Sequence, residues 1–70
     1  MSELWEKKSE AHKWFDRLWN NHEERDKYYK ELAKRMNIDY ELCHFSKMTM
    51  EQLDRAIIII KQMWLEKFDR

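Results

Sequence analysis

Seventy residues carrying 14 basic and 14 acidic side chains, with a formal net charge of zero, bound a single small domain and exclude a strongly basic arm for nucleic acid or an acidic DNA-mimicking surface. Charged residues reach 40%, yet aromatics reach 14% and include four tryptophans, which excludes a disordered polyelectrolyte. One cysteine excludes an intrachain disulfide, and the longest apolar run, residues 56–60, falls far short of the roughly 20 residues that a membrane-spanning helix requires.

The first element is read from residue 2 to about residue 20. Leu4, Ala11, Trp14, Phe15, Leu18 and Trp19 recur at i, i+3, i+4 and i+7 and line one side of a helix, with Ser2 placed to cap it. The opening stretch MSELWEKKSE holds no continuous apolar segment of the secretory kind, so a cytoplasmic location is expected. Asn20, Asn21 and His22 break the pattern. A second helix follows from about residue 23 to 36, presenting Tyr28, Tyr29, Leu32, Ala33 and Met36. Acidic Glu23, Glu24 and Asp26 at its start and basic Lys34 and Arg35 at its end complement the helix dipole. With no glycine in the chain, Asn37 is the residue best suited to a left-handed C-terminal cap.

Ile38 is expected to fold back onto the bundle, and Asp39 to cap a single turn over residues 40–44, ahead of a connector of residues 45–48. Thr49 and Gln52 have capping-box spacing, and a third helix runs from there to about residue 68. Its core face is read as Leu53, Ala56, Ile57, Ile60, Met63, Trp64 and Phe68. Ile58 and Leu65 lie one heptad apart on a separate stripe, and Ile59 borders the core on the far side. The helix therefore carries more apolar surface than two partners of this size cover.

The stretches AHKWFDRLW, YKELAKRMNI and ELCHFSKMTMEQLDRAI, taken together, resemble the C-terminal helical part of an uncharacterised family common in phages and prophages. Members usually read A-H-x-x-F-D-x-L-W, then Y-x-x-L-A-x-x-x-x-I, then E-C-H-[IF]-x-x-[MF]-x-x-E-Q, and begin with a zinc ribbon of C-P-x-C-like pairs. This chain has no such pairs, has Leu42 directly before Cys43 where the pattern has Glu, and has Leu53 where many members have a cysteine. The resemblance implies a helical module of phage or mobile-element origin, and it brings no reaction with it.

Four residues merit weighing as metal ligands: His12 and Asp16, one helical turn apart, with Cys43 and His44. Adjacent Cys and His seldom reach one ion with good geometry, and the C-x₂-C pairs of a zinc site are missing, so no metal or other cofactor is expected. The competing reading makes Cys43 a small core side chain and the histidines hydrogen-bonding or packing groups. The lack of glycine leaves no phosphate-cradling loop, and no orienting third group accompanies Cys43 and His44, so an enzyme is not expected.

The expected architecture is all-α, a small three-helix bundle with a short helical turn before the third helix, forming one domain over residues 1–70. Trp5, Trp14, Trp19, Tyr29, Ile58, Ile59, Trp64 and Leu65 are the interface candidates, because aromatic side chains dominate binding hot spots and an apolar patch on a charged surface marks a contact site. The partners expected are a second copy, giving a homodimer, and a host or defence-system protein that the chain binds and inhibits, with anti-CRISPR inhibition one candidate. The alternative is a small DNA-binding regulator with a helix-turn-helix-like bundle. Against it, the third helix faces solvent with the mixed charges Glu51, Asp54, Arg55, Lys61 and Glu66, which make no phosphate-binding stripe.

Overall fold

The computed structural model describes residues 2–68. Three α-helices, α1 (Glu3–Asp16), α2 (His22–Met36) and α3 (Met50–Phe68), are joined by a tight corner and by two 3₁₀ turns, Tyr40–Leu42 and Phe45–Lys47. The chain is an all-α three-helix bundle, and its radius of gyration of 11.6 Å is close to the roughly 11 Å of a compact body of this length.

Local chemistry sets the helix ends. Ser2 Oγ accepts the Trp5 N–H at 3.2 Å and starts α1. This helix stops at Asp16, several residues before the pattern read from sequence, because the N–H groups of Arg17 and Leu18 tighten onto Trp14 and Phe15. That bend drops Leu18 fully into the core. Asn21 then caps α2, its side chain accepting the Glu24 N–H at 2.9 Å while Glu24 accepts the Asn20 N–H at 3.1 Å. At the other end of α2, Asn37 adopts φ 60° and ψ 45°. The Asn37 and Ile38 N–H groups donate back to Lys34 and Ala33 as a Schellman motif, and half-buried Ile38 packs on the core.

Asp39 precedes the first 3₁₀ turn, but its side chain makes no capping bond, contrary to the sequence reading. Residues 45–48, read as a plain connector, include a second 3₁₀ turn. The capping box that starts α3 forms in full: Gln52 N–H donates to Thr49 Oγ1 at 3.2 Å, and Thr49 N–H donates to Gln52 Oε1 at 3.0 Å.

Helices α1 and α3 run parallel. Lys7 pairs with Asp54 at 2.9 Å near their starts, Lys61 lies 4.9 Å from the Trp14 ring centre midway, and Lys67 donates to the Leu18 carbonyl beyond the end of α1. Helix α2 lies across the last turns of α3, where Arg35 grips Glu66 with two nitrogens, at 2.9 and 2.7 Å, and Glu31 with a third. The core between the helices holds Phe15, Leu18, Leu32, Leu53, Ala56 and Ile60, with Cys43, Phe45 and Met48 inserted from the turns. Among the described residues no charged or polar side chain is buried.

Candidate interaction surface

Ile58, Lys61, Leu65 and Phe68 are spaced i, i+3, i+7 and i+10 on α3, so they form one row along the helix. The row is solvent-facing: Ile58 is 58% exposed, and Leu65 and Phe68 are each 53% exposed. It borders a half-buried aromatic cluster in which Trp64 packs edge-on against Trp14 at 6.3 Å, and Trp64 also lies tilted against Phe68 at 5.0 Å. Lys61 and Arg17 both lie over the Trp14 ring, at 4.9 and 5.3 Å, so two cations cover an aromatic face that faces outward. A second basic and aromatic group, Lys67 over Tyr28, adjoins the same end of the bundle.

Charge is only weakly graded along the parallel pair, with Lys7, Lys8 and Arg55 among the acids near its start and Asp16 and Glu66 among the bases near its end. Glu3, Glu6, Glu10 and Asp54 line an open cleft with Lys7 and Met50 where α1 and α3 begin. Lys13 and Arg17 lie at the end of α1, and Lys61 and Lys67 on the last turns of α3. Both helix dipoles favour this arrangement, acid at the N-termini and base at the C-termini. The Lys7 ammonium donates to the Asp54 carboxylate and is raised above its ordinary value, whereas the Arg35 guanidinium holds the Glu66 carboxyl below its own.

The other interface candidates divide. Trp5 is 59% exposed on α1, whereas Trp14, Trp19 and Trp64 are half-buried against the core. Tyr29 and Ile59 are each only 8% exposed, so the bundle leaves little of either side chain open to a partner. Tyr29 packs on Phe15 at 4.3 Å and on Phe45 at 6.1 Å, which closes its ring inside the bundle and raises its hydroxyl pKa through desolvation. Ile59 is covered on the flank of α3 where the sequence wheel left it at the border. Phe68, read as part of the core face of α3, is exposed at the helix end, as is Leu4 at 36% on the apolar side of α1. Leu42, 55% exposed, adds an apolar side chain on the first 3₁₀ turn that periodicity did not flag. Inside Trp19 the indole Nε1 is buried without a hydrogen-bond partner, and Arg25 lies 5.9 Å from the ring centre.

The four metal candidates do not converge. His12 and Asp16 are exposed on α1, His44 is exposed on the connector, and Cys43 is 1% exposed. His12 packs edge-on against Phe45 at 4.8 Å, and His44 lies tilted against Tyr29 at 6.4 Å, so the two imidazoles rest on different aromatic rings. Among the described residues, no three His, Cys, Asp or Glu side chains are placed to hold an ion. Burial pushes the Cys43 thiol up to about 11, so it is neither a ready nucleophile nor a thiolate at neutral pH. No helix among the described residues is long and apolar enough to cross a membrane.

No curated protein and no solved structure matches the chain. Residues 1–63 match the family DUF3268, described as a zinc-finger-containing domain, and the chain belongs to that family.

Proposed function

We propose that the chain is a non-catalytic interaction module that binds and inhibits a partner protein through the α3 row and the aromatic cluster beside it. The observation that carries the reading is the exposure of Ile58, Leu65 and Phe68 on a helix whose opposite face already fills the core. These side chains contribute little to the fold, and a highly charged surface gains nothing from them unless something covers them. Their exposed apolar area is roughly 300 Å², against the ~800 Å² per partner that a standard interface buries. The row is therefore the centre of a contact whose rim is polar, with Lys61, Arg17 and Lys67 favouring a partner that offers carboxylates around an apolar groove.

Self-association through the same row is the weaker arrangement. Whether two copies pair antiparallel, Ile58 against Leu65, or parallel, each residue against its counterpart, the two Lys61 ammonium groups come side by side near the two-fold axis. The resemblance to phage and prophage proteins supports a bacterial host protein as the partner, a defence component such as a CRISPR effector among them, in a cytoplasmic setting. A rigid bundle inhibits such a target by covering its working surface.

The test is affinity capture from a bacterial lysate with the tagged wild-type chain and with Ile58→Gln/Leu65→Gln side by side, with light scattering on each eluate. One protein that co-elutes stoichiometrically with the wild type and is lost with the variant, while both melt alike, supports the reading. Equal capture by both, a homodimer alone, or nuclease-sensitive nucleic acid retained in a salt-dependent way overturns it, the last in favour of a DNA-binding regulator.

A further inference from the structure

The family description names a zinc finger, and the donor set of this chain does not fit one. Structural zinc takes four ligands drawn from Cys₄, Cys₃His or Cys₂His₂ sets, and the whole sequence contains one cysteine and three histidines. The cysteine is enclosed by the core, while His12 and His44 are exposed and pack against different rings, Phe45 and Tyr29. We infer that this helical unit folds without zinc, and that its connector between α2 and α3 is held closed by apolar side chains alone.

The connector has the features such a task requires. Each of its two 3₁₀ turns satisfies its own backbone: Leu42 and Cys43 donate to Asp39 and Tyr40, and Lys47 and Met48 donate to His44 and Phe45, at 2.9 to 3.2 Å. Two of these paired N–H groups belong to Cys43 and Met48, whose side chains turn inward. Cys43 at 1%, Phe45 at 1% and Met48 at 4% exposure are the plugs. Phe45 reaches both long-range neighbours, packing on Phe15 of α1 at 5.7 Å and on Tyr29 of α2 at 6.1 Å, so one ring ties the connector to two helices. Cys43 acts as a small apolar group, and its protonated thiol is the form that burial favours.

The experiment is thermal melting of the purified full chain before and after dialysis against a strong zinc chelator, with elemental analysis of the same samples and thiol titration by a disulfide reagent. The expected results are zinc well below one ion per chain, a melting temperature that moves by less than about 1 °C on chelation or on addition of zinc, and a thiol that reacts only on unfolding, with or without chelator. Cys43→Ala keeps a cooperative melt with the same indifference to zinc. One tightly held zinc per chain or per pair of chains, with a melting temperature that falls by more than about 5 °C when it is removed, overturns the inference. A thiol unmasked by chelation in the folded protein overturns it independently.

Discussion

Truncating Phe45 tests whether a residue outside the three long helices carries as much of the fold as one inside them. The ring is 1% exposed and touches His12, Phe15 and Tyr29, with centroids 4.8, 5.7 and 6.1 Å away. Removing a buried phenyl group costs about 3–5 kcal/mol once the cavity is included. A chain of this length is stable by roughly 3.5–10 kcal/mol, so Phe45→Ala is expected to leave a large unfolded fraction at 25 °C. Phe45→Leu keeps most of the volume and loses about 1–1.5 kcal/mol, a fall in melting temperature of about 5–10 °C. Urea denaturation followed by tryptophan fluorescence and by helical circular dichroism measures both, with exposed Ser46→Ala as the control, expected within about 0.5 kcal/mol of wild type. A Phe45→Leu protein that melts within about 2 °C of wild type refutes the connector as a structural plug.

Asn37 holds a left-handed conformation that a β-carbon disfavours, so Asn37→Ala is expected to cost about 1 kcal/mol in urea denaturation while Asn37→Gly stays within about 0.5 kcal/mol of wild type. Trp19→Phe removes a buried indole N–H that has no partner, so its loss is expected to stay below about 1 kcal/mol, against about 3–5 kcal/mol for Trp19→Ala. The Glu66 carboxyl is held below its ordinary value by Arg35. A lowered folded pKa stabilises above the unfolded value of about 4.5 and ceases to as pH falls through the folded value, so Glu66→Gln is expected to lower the melting temperature slightly at neutral pH and low salt while leaving the acid end unchanged, which flattens the profile between them. Tyr29, its pKa raised by burial, acts at the other extreme: stability is present below about pH 10 and declines above it, and Tyr29→Phe is expected to remove that alkaline loss.

The elements that were legible in the sequence are those fixed by short-range chemistry. Ser2, Asn37 and the Thr49 and Gln52 pair act within one turn of themselves, so their spacing alone identified them. The heptad positions Phe15, Leu32, Leu53, Ala56 and Ile60 followed from periodicity, and all are buried. Tertiary placement decided the rest. Nothing local distinguishes a helix ending at Asp16 from one ending near Asn20; what ends it is the demand that Leu18 turn inward while Asn21 starts the next helix. Ile58 and Ile59 are neighbours with the same side chain, and one is 58% and the other 8% exposed because only one flank of α3 meets the rest of the chain. Tyr29 looked like a surface aromatic until the connector brought Phe45 against it. The Phe45 turn itself contains no periodic signal, being three residues long.

The run of four isoleucines from Ile57 to Ile60 resolves into two roles. Ile57, Ile59 and Ile60 span an arc of about 160° and are covered, which is as much of the helix as α1 and the α2 side of the bundle can reach. Ile58 points to the remaining sector, and Leu65 and Phe68 extend that sector toward the basic end of the bundle. A stripe serving only the fold would stop at the arc that its neighbours cover, because each exposed β-branched or large apolar residue favours aggregation over solubility. The stripe instead continues across Lys61, whose charge sits over Trp14 and keeps the row soluble while leaving its apolar atoms accessible. Solubility and exposure are thus combined on one helix face, and removing Ile58 and Leu65 tests the proposed contact with little disturbance of the core.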